Sequence, residues 1–297
     1  MAFPSAGGYN NLPLGNFSPT NFSKKILMTL KKVTVADAIT NTEFEGEINQ
    51  QGDSVRIIKQ PNVTTFSYTR GKILPVQDLN DEDITMYLDQ AIGYQFAMDD
   101  IELKHEHVSF EDMAVDSAKY KIRTDYDVDI LSTINSGVNS ATNAGSVTVG
   151  FGNGNDYTPL DLVSRLARLL DDQNIPDENR WLVASPAYFE ALRREDSKLI
   201  DAQVMGDPKS TVRDPRMGTN IMLHGFKMYK SNNLPSSGGV VLAGHKDAVA
   251  TASSILKAEQ LRNQNTFGNL YRGLYVYGRK VLRDVGIAKA TITLGDV

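Results

Sequence analysis

Apolar and polar residues change period along this chain, and each change marks an element. From residue 86 to 98, Met86, Leu88, Ile92, Tyr94, Phe96 and Met98 alternate with Tyr87, Asp89, Ala91, Gly93, Gln95 and Ala97. A period of two predicts a strand, despite Ala and Gln content that would suit a helix. The period then lengthens. Phe110, Met113, Ala114, Ser117, Tyr120, Thr124, Val128 and Leu131 fall three or four residues apart, Ser109 with Asp112 supplies a start signal, and Gly137 ends the run. This predicts a helix of about 28 residues over 109–136, a rod of about 42 Å. Its apolar stripe is thin and its other faces are charged, so it is expected to lie across a sheet or an interface.

A turn-rich stretch, 136–157, leads to a second helix. Thr158 caps it, Pro159 takes its first position, Asp161 completes the capping box, and Leu162, Val163, Leu166, Leu169 and Leu170 form its inner face. "RWLVA" (180–184) reads as a short buried strand, followed by a helix begun by Ser185-Pro186 with Phe189 and Leu192 inward. "NIMLHGFKMYKS" (220–231) predicts a hairpin or kinked strand about Gly225, and "GGVVLAG" (238–244) another buried strand. The stretch 267–294 is strand-rich. Tyr271, Tyr275 and Tyr277 are expected on one face with Arg279 and Arg283, and Leu270, Leu274, Val276 and Leu282 mostly on the other.

Two segments lack a core of their own. Residues 1–23 are almost uncharged and rich in Gly, Asn, Pro and Ser, which predicts an extended arm. Phe3, Tyr9, Leu12, Leu14, Phe17 and Phe22 give it apolar anchors that a free tail does not need. Residues 44–84 predict a long two-stranded excursion: "GDSVRIIKQ" (52–60) pairs with "PNVTTFSYTRGKIL" (61–74), whose Thr64, Phe66, Tyr68 and Arg70 alternate with Thr65, Ser67 and Thr69. A hairpin polar on much of both faces needs a partner surface.

Composition narrows the chemistry. The 297 residues contain no cysteine, which removes disulfides, thiol catalysis and cysteine-held metals. The net charge of −5 argues against a dedicated nucleic-acid binder. No apolar run is long enough for a bilayer, and the first residues do not form a secretory signal, so a soluble, unsecreted protein is expected. Ser185 sits at a strand-to-helix turn where a hydrolase keeps its nucleophile. Its neighbours Val183, Ala184, Pro186 and Ala187 lack the glycines of a nucleophile elbow, and Pro186 removes an oxyanion-hole N–H; the residue reads as a cap. "HEH" (105–107), the acidic "DLNDED" (78–83) and "GFGNGN" (150–155) each fall short of a metal or dinucleotide motif. No catalytic, metal or cofactor site is expected.

Five stretches in order resemble the major capsid (coat) proteins of tailed bacteriophages: "FEGEINQQGDSVRIIKQPNVTTFSYTRGKI" (44–73); "YLDQAIGYQFAMDDIELKH" running on to "DYDVDILSTI" (87–134); "TPLDLVSRLARLLDDQNIPDENRWLVASPAYFEAL" (158–192); "GFKMYKSNNLP" with "LAGHKDAVATA" (225–252); and "NTFGNLYRGLYVYGRKVLRDVGIA" (265–288). The resemblance implies an α+β fold with an N-terminal arm (1–43), an extended β-hairpin loop (44–85), a peripheral domain (86–140 and 255–297) with a spine helix, and an axial domain (141–254). It implies a non-enzymatic subunit that self-assembles as pentamers and hexamers into an icosahedral shell around double-stranded DNA. The 43 residues ahead of the loop are too few for a built-in scaffold, so a separate scaffolding protein is expected. A portal protein is expected too, with room for a decoration protein, and assembly in the host cytoplasm. Asp53, Arg56, Lys59, Arg70 and Lys72 on the loop, and Arg272, Arg279, Lys280 and Arg283 on the peripheral sheet, are the expected contacts between subunits. The alternatives are a cellular encapsulating shell of the same fold and, from another class, a serine hydrolase using Ser185.

Overall fold

A computed structural model describes residues 34–43, 54–59, 63–73, 75–78, 83–99, 110–152, 154–193, 221–263 and 267–295. The chain runs α1 (Ala36–Ile39), β1 (Ser54–Ile58), β2 (Asp83–Tyr87), β3 (Gln90–Asp99), α2 (Phe110–Ser136), β4 (Asn143–Val149), α3 (Pro159–Asp171), β5 (Arg180–Ala184), α4 (Pro186–Leu192), β6 (Ile221–Leu223), β7 (Phe226–Lys230), β8 (Val240–His245), β9 (Val249–Arg262), β10 (Gly268–Val281) and β11 (Ile287–Leu294). The strands form sheets ordered β1-β2, β3-β10-β9 and β4-β11-β8-β5-β7-β6.

The six-stranded sheet is covered on both faces, which is why β5 is apolar from Trp181 to Ala184, after an Arg180 that pairs with Asp171 and Asp177. All five residues of β5 are buried. Leu182 and Ala184 of β5 face one way, against Leu162, Val163, Leu166 and Leu170 of α3 and Tyr188, Phe189 and Leu192 of α4. Trp181 and Val183 face the other way, against Tyr126, Ile130, Leu131 and Ile134 of α2 and Ile39 of α1. Each such side chain contributes about 1.5–3 kcal/mol on burial. The cap of α3 forms as expected: the Thr158 hydroxyl accepts from the Asp161 N–H. The β6–β7 hairpin turns through His224 and Gly225, both with positive φ (47° and 79°), as a two-residue hairpin turn of primed type demands.

The long helix ends where expected, but its buried row differs. Ile122, Tyr126, Ile130, Leu131 and Ile134 are buried, whereas Ser117 and Val128 are exposed. The expected row gives weight to Ser117 and Thr124. The aliphatic row lies two residues further on, about 200° around the helix. Its upper half packs edge-on against the three-stranded sheet: the Tyr126 ring meets Tyr275 at 5.8 Å and Tyr277 at 4.9 Å between centroids.

Three other expectations change. The run 86–98 is two strands, because the chain leaves the β1–β2 pair at Tyr87 and joins β10 from Gln90. The crossing is close: a Cβ on Gly278 of β10 would lie 2.5 Å from the Tyr87 carbonyl oxygen. The described residues of the segment 61–74 form no ladder strand. The described residues 63–73 and 75–78 carry only a turn, closed by Lys72 N–H to Thr69 O at 2.9 Å, and one tie from Thr64 N–H to Gln77 Oε1 at 2.8 Å. Its β-prone residues have no apolar layer beneath them, and a lone ribbon is marginal without one. Finally, β11 lies between β4 and β8 in the six-stranded sheet, so residues 287–294 do not belong with β10, where the boundary 255–297 puts them.

Candidate assembly surfaces

Among the described residues, the loop is anchored at its root. Val55 and Met86 pack on Ala250 and Ala252 of β9, with Leu88 and Leu282 beside them. Beyond that cluster the side chains point into solvent. Ile73 is 92% and Val76 97% exposed, with Tyr68, Val63 and Phe66 also exposed. Arg70 and Lys72 flank Gly71 at the turn and are exposed. Arg56 pairs within the loop, its Nε 2.6 Å from Asp83 Oδ2. Exposed as both are, the pair contributes about 1 kcal/mol or less. Asp53 and the arm anchors Phe3, Tyr9, Leu12, Leu14, Phe17 and Phe22 lie outside the described residues.

The four basic residues of the C-terminal third separate. Arg272 grips Glu259 across β10 and β9, with Nε and Nη2 at 2.9 and 2.6 Å from Oε2, on the exposed face. Lys280 is exposed. Arg279 turns inward onto α2: its Nη2 is 2.8 Å from Asp129 Oδ1 and its Nε donates to Thr133 Oγ1 at 2.6 Å. The Tyr277 hydroxyl donates to the other oxygen of Asp129 at 2.8 Å. Burial first, then this bond to a carboxylate, push the Tyr277 hydroxyl well above the usual tyrosine range, so it stays a donor. Arg283 lies past the end of β10, exposed, and does not share the tyrosine face. It comes instead beside Lys59 from the loop: both line a cavity of about 410 Å³ with His245 and Asp247.

Two acids that the periodicity passes over hold the frame. Asp127 is fully buried on α2. Its Oδ1 accepts from the N–H groups of Val35 (2.9 Å) and Ala36 (2.8 Å), and its Oδ2 from Asn233 Nδ2 (2.8 Å). It thereby joins the start of α1, the long helix and the loop after β7. The available signal is an acid set within the row of Tyr126, Ile130 and Ile134, where a solvated charge has no place. Asp129, two residues on, takes Arg279 and Tyr277 as described.

Ser185 is 7% exposed and its hydroxyl oxygen accepts from the Tyr188 N–H at 3.4 Å, the cap of α4. No acid or histidine hydrogen-bonds to it among the described residues. Tyr188 is itself buried, and its hydroxyl donates to the Pro159 carbonyl at 2.6 Å, tying α4 to α3. Because the cap bond is long, Ser185→Ala is expected to cost about 0.5–1 kcal/mol in urea unfolding and to leave particle formation unchanged. Among the described residues no three His, Asp or Glu side chains gather closely enough for a metal ion, and no helix is long and apolar enough to cross a membrane. His105, Glu106 and His107 lie outside the described residues.

A chain with a six-stranded sheet covered on both faces, a three-stranded sheet open on one, a helix packed against both and a loop projecting from a small root presents surfaces for assembly. The family described as phage capsid protein matches residues 92–290, well over half of the chain. The chain belongs to the phage capsid protein family. Solved structures agree over nearly its whole length. A structure from Mycobacterium phage Che8 is 27% identical, with a TM-score of 0.76, covering 93% of this chain and 97% of that one. The capsid of Cyanophage P-SCSP1u is 16% identical, with a TM-score of 0.70 and 94% of each chain covered. The capsid of a native GTA particle is 14% identical, with a TM-score of 0.70, covering 98% of this chain and 100% of that one. No curated protein matches the sequence. The subunit is thus a major capsid protein, a structural component whose place is the capsid of the virion.

Proposed function

We propose that this capsid protein assembles as pentamers and hexamers into an icosahedral shell around packaged double-stranded DNA, with its extended loop laid over a neighbouring subunit. The carrying observation is the loop beyond Ile58: Ile73 and Val76 stand 92% and 97% exposed, next to Arg70 and Lys72, and every described residue of 63–78 is exposed. Several exposed apolar side chains on one projection, in a protein of a capsid family, fit a surface that a second copy covers. In this reading the six-stranded sheet with α3 and α4 is the axial unit around the five- and sixfold centres. The three-stranded sheet with the face of α2 that carries Tyr126, Asp129 and Thr133 is the peripheral unit. Arg272, Lys280, Arg283 and the loop's basic residues meet neighbouring subunits. The net charge of −5 suits a lining over which DNA slides during packing. A separate scaffolding protein guides assembly in the host cytoplasm, a portal protein occupies one vertex, and a decoration protein has room on the outer surface.

Each rim contact contributes about 1 kcal/mol or less, but closed symmetry repeats it over the whole shell. Electron microscopy of the purified protein, alone and with its scaffolding partner, is expected to show round, uniform shells. Discrete small oligomers under every condition would overturn the reading. Arg70→Glu is expected to leave a folded subunit, with unfolding free energy unchanged within about 0.5 kcal/mol, and to abolish shells. Normal shells from this variant would contradict the role given to the loop tip.

A further inference from the structure

The ribbon of β1 and β2 is seated at one rung and unsupported at the next. Val55 and Met86 face each other across the ladder, and both are buried on Ala250 and Ala252. Ile57 and Ile84 form the following rung on the same face, and both are only partly buried. They line the cavity of about 410 Å³ at the foot of the loop. Ile175 and Pro176, from the turn between α3 and β5, line it too. Asp247, His245 and Lys59, also in the lining, already have partners. The unfilled space is a gap beneath an apolar rung.

The turn that lines this gap is held firmly. The Arg180 side chain is 2% exposed. Its Nε donates to the Pro176 carbonyl at 2.8 Å and its Nη2 to the Ile175 carbonyl. The same Nη2 lies 2.7 Å from Asp171 Oδ1 and 3.0 Å from Asp177 Oδ1. The Ile175 N–H donates to the Leu170 carbonyl at 3.2 Å, and Pro176 has a fixed φ. Burying a charge contributes little net stability even when it is paired, so the arrangement holds a shape. The two carbonyls it grips belong to the same two residues of the turn that line the cavity.

We infer that this turn is a stop for the extended loop and Arg180 its positioning residue: the ribbon rocks about the Val55–Met86 rung until Ile57 and Ile84 seat on Ile175 and Pro176. Closing the gap takes the faces of that rung out of water, and fixing the loop costs conformational entropy, so the two terms oppose. A neighbouring subunit lying on the loop tips the balance toward the seated position. That last step rests on the shell reading; the stop itself does not.

The absence of native cysteine gives a direct test. Ile57→Cys with Ile175→Cys reports the seated position, because a disulfide needs Cα atoms within about 7 Å. Ile58→Cys with Pro176→Cys, both at exposed lining positions, serves where the first pair does not fold. Under mild oxidant the link is expected within one chain, slowly in the free subunit and about tenfold faster in shells, in proportion to the seated fraction. Loss of free thiol and a faster band on a non-reducing gel read it. Arg180→Met is expected to cut that gain to about twofold or less while the β5 amides stay protected from exchange. Arg180→Lys, still able to donate to both carbonyls, should keep the gain. A purely structural role for Arg180 would leave the gain unchanged, and that result overturns its assignment. Cysteines that never link in the free subunit or in shells, or link only between chains, overturn the stop, and equal rates in the two states overturn seating by a neighbour. Failure of the wild-type protein to form shells under any condition would overturn the shell reading, and the free-subunit disulfide would still decide the stop.

Discussion

Asp127→Ala is expected to lower the unfolding free energy by about 3–5 kcal/mol, as much as truncating a fully buried aliphatic side chain of the same helix. The carboxylate is wholly buried and meets three donors, the N–H groups of Val35 and Ala36 and the amide of Asn233. Truncation leaves all three facing an empty space that has no acceptor, and an unmade bond to a buried donor costs more than a made one contributes. Asp127→Asn separates charge from shape. One oxygen remains for the two backbone N–H groups, but the new amide then faces the amide of Asn233, donor against donor. A smaller loss of about 1–3 kcal/mol is expected. Adding Asn233→Asp reverses the polarity of the second partner and should recover much of that loss, a coupling that urea unfolding of the four proteins in a double-mutant cycle would measure. The assembly phenotype should exceed the stability phenotype. Residues 35–41 lead from this anchor to the Asn41 bridge on β9 and on toward the loop, so losing the anchor loosens the loop's path as well as the core.

Arg279→Glu is the second large effect, expected at about 2–4 kcal/mol of lost stability. The arginine side chain is 19% exposed and that of Asp129 28%, so water screens the pair only partly. Reversal puts two carboxylates side by side and strands Thr133 and Tyr277, which share the same cluster. The variant should therefore fail as a folded subunit before assembly is tested, with a lower thermal midpoint by circular dichroism. Arg272→Glu, on the exposed face of the same strand, should unfold close to wild type. An Arg279→Glu subunit of wild-type stability that forms no shells would instead place this residue at a contact between subunits.

How much of the fold is legible in the chain depends on whether the information is local. Caps and turns are local chemistry. Thr158-Pro159, Ser185-Pro186 and His224-Gly225 are readable because each specifies its own backbone within four residues. Strongly apolar runs such as 181–184 are readable because burial on both faces selects apolar side chains at consecutive positions. The long helix is readable in extent but not in phase: its stripe is thin, and a few Ser and Thr residues are enough to shift the apparent row. The loop ribbon misleads because β propensity in 63–69 suggests pairing, when pairing also needs a layer to rest on. The position of β11 and the inward turn of Arg279 are not readable at all. Both depend on contacts across more than a hundred residues, with β4 in one case and α2 in the other. The capsid reading comes from the joint order of several stretches, none decisive alone. The long helix, the projecting loop and the two sheets give that order a physical meaning.

The place of β11 bears on when the subunit becomes competent. It follows every other described strand in sequence, yet it sits inside the six-stranded sheet, with β4 on one side and β8 on the other. During synthesis, β4 has no partner strand in that sheet until residues 287–294 have emerged, and β8 keeps one edge open. The central layer therefore closes only once β11 has been made. Long-range closure of this kind is slow relative to local folding. That delay works as a timer: the six-stranded layer and the surfaces it carries reach their final relation only when β11 fills the place between β4 and β8.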